Sequence, residues 1–250
     1  MKIIKKYVII YYNKKIKEKD ICMNKDIKEL SKLLEDTLSS IKQEEQDRNI
    51  STLINEVLNG PNWKKGFDSI LEIKSNLDRE LFIGEIDSDT GDSINSYIQF
   101  FNKQDEEDNI PVEERKPIKI YIDSPGGDLY ATMTMIDAIK LSKTPVWTIN
   151  IGCAYSGGFF TFIVGHKRIS YPNASFLFHE GAAATQGDAG KFRNFADFYN
   201  RQLLKLKQIV LEHTKFDEAW YKEHINDDVW LMSEEALENG VCDEITDKLV

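Results

Sequence analysis

The segment at 152–160, GCAYSGGFF, sets a serine at the junction of two apolar runs. The run before it, PVWTINIG at 145–152, reads as a strand. The run after it, through Phe159, Phe160, Phe162, Ile163 and Val164, reads as a helix. At such a junction the Ser156 hydroxyl is exposed on a rigid mount. The helix N-terminus behind it supplies unbonded N–H groups and partial positive charge. Those are the needs of an acyl-transfer nucleophile and of the oxyanion it generates. The segment nearly matches Gly-x-Ser-x-Gly, with Ala154 in place of the first glycine.

A glycine-rich turn, Ser124-Pro125-Gly126-Gly127, follows another strand-like run, IKIYID at 118–123, and precedes a helix at 129–141. Such a turn can cradle a phosphate or aim backbone N–H groups at a carbonyl oxygen. No Lys-Ser/Thr follows it, and GxGxxG spacing is absent. Of the four histidines, His179 alone ends an apolar strand, SFLFH, and a strand-tip imidazole can reach a neighbouring element. A group that steadies that imidazole would complete a triad. Asp227 and Asp228 both qualify, and spacing does not choose between them.

These residues need elements to hold them. A buried strand at 79–86, a helix at 90–101, a charged loop at 102–117, strand 118–123, helix 129–141 and strand 145–152 alternate in a way that predicts stacked βα units and parallel strands. Short strands at 168–171 and 175–178, a long helix at 189–214, a short helix at 233–239 and a last strand at 241–245 complete the pattern. The 189–214 helix carries a wide stripe including Phe192, Phe195, Phe198, Tyr199, Leu203, Leu206, Ile209 and Val210, wide enough to face both a core and a second subunit. Residues 24–58 carry helical periodicity but no identifiable chemistry, so 1–75 is read as a helical or partly disordered extension, with Met23 an alternative start.

The net charge of −10 over 250 residues, with no basic cluster, argues against nucleic-acid binding. The apolar run at 7–12 is too short for a secretion signal or a membrane span. Cys22, Cys153 and Cys242 are odd in number, scattered and without metal spacing. A cytoplasmic protein without metal or cofactor is expected.

From about residue 76 onward the chain resembles the proteolytic subunit of the Clp protease, the ClpP family of serine peptidases. The resemblance is carried by YIDSPGGD (121–128), GCAYSGGFF (152–160), YPNASFLFHEG (171–181), TQGDA (185–189) and SEEALENGVCDEI (233–245), in the family's order. It implies an α/β fold of repeated ββα units, also seen in crotonases, with a protruding helical handle at 189–214. It implies Ser156 as nucleophile, His179 as general base, and backbone N–H groups of Gly127 and Gly157 as oxyanion donors. The register to the SEEA segment selects Asp228 over Asp227. It further implies polypeptide substrates bound extended, homo-oligomeric stacked rings enclosing a chamber, and an ATP-driven unfoldase as a possible partner.

The chain departs from the family pattern in several places. Ala-Ser-Met-Gly around the nucleophile is here Tyr155-Ser156-Gly157-Gly158, which keeps the N–H and predicts a looser oxyanion hole. His-Gln-Pro is here His179-Glu180-Gly181, where a glutamate beside the base would raise its basicity or disturb peptide binding. The N-terminal region does not resemble the family's axial loops. The alternatives are a catalytically inactive ring subunit, a phage head-maturation type protease, and a crotonase-like acyl-CoA enzyme. The Ser–His pair weighs against the last.

Overall fold

The computed structural model describes residues 78–181 and 183–250. The readings made for 1–75 lie outside the described residues. Among the described residues seven strands and six α-helices follow one another from Glu80 onward, the two longest strands, IKIYIDS and VWTINIGCAY, being rich in apolar residues. Strand β1 (Glu80–Ile83) is followed by α1 (Ser88–Glu107), β2 (Ile118–Ser124), α2 (Leu129–Leu141), β3 (Val146–Tyr155) and α3 (Gly157–Ile163). Then come β4 (Lys167–Ser170), β5 (Ser175–Phe178), α4 (Ala189–His213), α5 (Glu218–His224), β6 (Val229–Met232), α6 (Ser233–Glu238) and β7 (Glu244–Ile245).

The strands form one sheet in the order β1-β2-β3-β4-β7, parallel throughout. Strand β3 is its spine and has two partners on one side in succession. Its first half, Trp147 to Asn150, pairs with β4; its second half, Cys153 to Tyr155, pairs with β5. Strand β5 then pairs antiparallel with β6. The mixed α/β sheet with parallel βα units is the class the alternating pattern predicts.

The main core lies between this sheet and its helices. Ile118, Ile120 and Ile122 of β2 are fully buried, as are Met135 and Ile139 of α2, Phe159 and Phe162 of α3, and Phe176 and Phe178 of β5. Each such side chain contributes about 1.5–3 kcal/mol by leaving water. A smaller cluster of Tyr121, Ile149 and Ile169 covers the opposite face. Helix α4 buries only Leu206, Ile209 and Val210 against this chain, and Phe192, Phe198 and Leu204 stay exposed.

Two elements run further than the sequence suggests. The 102–117 segment is not all loop, because α1 continues through Glu107. Its last turns hold Asn102, whose Oδ1 accepts N–H bonds from Lys143 and Thr144, and the fully buried Asp105. Lys, Gln and Glu are good helix formers, so charge alone did not mark a loop here. Strand β3 extends three residues past Gly152, up to the serine itself, because β5 supplies a fresh partner there.

Candidate active site

Ser156 stands between the last residue of β3 and the first of α3, with φ 52° and ψ −118°. A serine in this region of backbone space costs about 1–3 kcal/mol and persists only where neighbours impose it. Here they do: Ser156 N–H donates to Leu177 O (2.9 Å), and Ser156 O accepts from Phe160 N–H (3.2 Å). The hydroxyl makes no cap to the helix it precedes. It therefore remains uncommitted, although serine is a favoured cap residue.

Strand register carries His179 and Asp228 to the same end of the sheet. Tyr155 is paired with Leu177 in the parallel β3–β5 ladder. Phe178 is paired with Val229 in the antiparallel β5–β6 ladder. One step beyond each ladder, Ser156, His179 and Asp228 leave three adjacent strands, which run about 4.8 Å apart. His179 Nδ1 lies 3.4 Å from Asp228 Oδ1, longer than a well-formed hydrogen bond. The His179 side chain is one-third exposed and that of Asp228 is 60% exposed. Among the described ion pairs Asp228, not Asp227, is the partner of His179. The other ring nitrogen, Nε2, is buried without a hydrogen-bond partner, so no bond joins it to the Ser156 hydroxyl.

The glycine-rich turn lies directly against the serine. A Cβ on Gly126 (φ +98°) would fall 2.7 Å from Ser156 Cβ and 3.0 Å from Gly157 N, so no side chain fits there. The orientation of the next amide is set from β1's extension. Ile86 N–H donates to Gly126 O (2.9 Å), and Asp128 N–H donates to Ile86 O (2.8 Å). In a trans peptide the C=O and N–H of one unit point opposite ways. Turning Gly126 O toward Ile86 therefore turns Gly127 N–H away from it, toward the start of α3. Consistent with this, the position a Cβ would take on Gly157 is 3.5 Å from Gly127 N. Gly157 N–H belongs to the first turn of α3, whose amides have no intrahelical acceptor. Ile86 thus sets the orientation of the Gly127 amide through its backbone, a part that its reading as the end of a buried strand did not give.

Glu180, next to His179, turns toward the helices. Its Oε1 accepts from the Tyr221 hydroxyl at 3.2 Å. Burial pushes the Glu180 carboxyl up, and the Tyr221 bond offsets this only in part. Burial, then the nearby Glu180 charge, raises the Tyr199 phenol of α4 as well.

A family model described as Clp protease matches residues 68–249. The chain belongs to the Clp protease family. The ATP-dependent Clp protease proteolytic subunit 2 of Treponema denticola is 27% identical over 180 residues, which is 71% of this chain and 86% of that protein. The family match spans Gly127, Ser156, Gly157, His179 and Asp228, and so every part of the site just described. The five motifs at 121–128, 152–160, 171–181, 185–189 and 233–245 all lie within that match. Its sheet architecture here brings a serine, a histidine and an aspartate to the ends of three adjacent strands.

Proposed function

We propose that this Clp-family chain is a serine-type peptidase. Ser156 attacks the peptide carbonyl, His179 takes its proton and returns it to the leaving amine, and Asp228 holds the imidazole and stabilises its cation. The amides of Gly127 and Gly157 receive the oxyanion, and water then hydrolyses the acyl-enzyme. No metal or cofactor enters these steps. The observation that carries the reading is the pairing of His179 Nδ1 with Asp228, which leaves Nε2 as the nitrogen available to a nucleophile. Catalytic hydrogen bonds are often long before substrate binds, so the unmade Ser156–His179 bond is compatible with it.

The domain reading is a peptidase domain over 76–250 preceded by an N-terminal extension over 1–75. Its substrates are unfolded polypeptides held extended, since backbone hydrogen bonds grip any sequence. The exposed Phe192, Phe198 and Leu204 of α4 support assembly into stacked homo-oligomeric rings. An ATP-driven unfoldase is the proposed feeder; the Treponema relative's name includes ATP dependence. The proposed location is the cytoplasm, and no described helix is long and apolar enough to cross a membrane.

The unpartnered Nε2 favours one second reading, a non-catalytic ring subunit. Hydrolysis of unstructured fluorogenic peptides by the assembled wild type and by Ser156→Ala separates the two. Turnover that vanishes in the variant supports the peptidase. Equal turnover in both, or none in either, supports the second reading.

A further inference from the structure

Gly157 is the residue after the proposed nucleophile, and the space its side chain would need belongs to α2. A Cβ there would lie 2.5 Å from Thr132 Oγ1, a separation that real side chains do not tolerate, while Ile86 Cδ1 would be 3.3 Å away. Thr132 is fully buried. Its hydroxyl donates to Asp128 O (2.8 Å), the same carbonyl that accepts the Thr132 N–H (3.0 Å). Asp128 is itself fixed, by its N–H bond to Ile86 O and by its side chain, which accepts from Ala131 N–H. The Thr132 hydroxyl therefore cannot swing aside without losing a buried hydrogen bond. The neighbourhood of Gly157 is filled, not loosened as the glycine after the serine had suggested.

We propose that Thr132 is a positioning residue of the oxyanion hole. From the first turns of α2 it holds the peptide after the serine at a set distance from Gly127 N. Gly157 and Thr132 then form one packing unit, in which the threonine occupies the volume a larger residue at 157 would take. The proposal rests on the peptidase reading of the same site. Thr132 touches no reacting atom in this account; it acts through the Gly127 and Gly157 amides, whose loss typically costs about 10²–10³-fold in kcat.

The test is a double-mutant cycle on the assembled full-length protein, reading peptide hydrolysis and thermal unfolding together. Gly157→Ala is expected to lower kcat by about 10²-fold with KM nearly unchanged, and to lower Tm. Thr132→Ala removes the obstructing oxygen, so Thr132→Ala/Gly157→Ala is expected to recover most of the loss in both readouts. Thr132→Ala alone is expected to lower kcat about 10-fold by leaving the Gly157 peptide unsupported, whereas Thr132→Ser, which keeps the hydroxyl, should stay within about 3-fold of wild type, a split that mere bulk would not produce. A double variant no better than Gly157→Ala in either readout overturns the proposal. So does a Gly157→Ala loss confined to KM. Should wild type and all variants lack hydrolysis while the Tm rescue holds, the peptidase reading has failed and the catalytic role falls with it, leaving only the packing unit.

Discussion

Replacing Asp105 with asparagine should destabilise the domain more than almost any other single polar change. Asp105 has no exposed surface and lies on α1 between two largely buried arginines. It accepts from Arg79 Nη1 and Nη2 at 2.9 and 2.5 Å and from Thr144 Oγ1 at 2.7 Å. Arg115 Nη1 donates to the same threonine at 3.3 Å. Burial alone would push the Asp105 carboxyl up; the bonds from Arg79 and Thr144 and the charges of Arg79 and Arg115 outweigh it and hold the carboxyl below its ordinary value. Removing the charge leaves two buried guanidinium groups uncompensated, which costs about 3–5 kcal/mol. At this size each kcal/mol moves Tm by roughly 2–4 °C, so a fall of about 6–20 °C is expected. The sign of the pH effect follows from the depressed carboxyl. Its stabilisation is complete above about pH 4, the unfolded carboxylate value, and is lost as pH falls through the folded value. The gap in Tm between wild type and variant should thus be constant from about pH 8 to 5 and narrow below about 4. Circular dichroism melts across that range give the answer. A shift under about 2 °C at pH 7 would mean the cluster behaves like a solvated surface pair, and the reasoning would be refuted.

Three further outcomes follow from the same structure. Asp228→Asn should lower kcat by up to about 10⁴-fold with little change in KM, because an amide can hold His179 in the wrong tautomer; steady-state kinetics checks it, and an unchanged kcat would remove Asp228 from the mechanism. Burial raises the Glu180 carboxyl, so it destabilises the fold as pH rises from about 4 through its folded value. Glu180→Gln, which can still accept from Tyr221, should be at least as stable as wild type at pH 7 and flatten that limb in pH-resolved melts; a variant less stable at pH 7 would contradict this. Burial pushes the Cys153 and Cys242 thiols up to about 11. Peptide-resolved iodoacetamide labelling at pH 8 should therefore be roughly 100-fold slower in the native protein than in urea, and equal rates would contradict it.

Much of the fold was legible where periodicity and punctuation agreed. Helix α2 falls at Leu129–Leu141 and β5 at Ser175–Phe178, the ranges the apolar spacing indicates. Ser156 was visible because a strand-like run meets a helix-like run there, and His179 because it ends one. What was not legible depends on pairing at a distance. Strand β3 continues to Tyr155 where β5 replaces β4 as its partner on one side and Ser124 of β2 pairs with Ala154 on the other, and no local signal announces that exchange. Local spacing leaves Asp227 and Asp228 equivalent; the resemblance to the family selects Asp228, and the β5–β6 register sets that residue opposite His179. Ile86 orients the Gly127 amide through its backbone, which leaves no trace in side-chain pattern. Thr132 and Gly157 are likewise joined only by the packing of α2 on α3.

The proposed chemistry requires the Ser156 hydroxyl to be a nucleophile activated by His179. A fluorophosphonate probe reports this directly, because stable phosphonylation requires an activated serine. Mass spectrometry of the assembled protein should find one adduct per chain, on the peptide containing Ser156, and strong loss of labelling in His179→Ala. No adduct on Ser156 in the assembled protein, or labelling that His179→Ala leaves unchanged, would contradict the account.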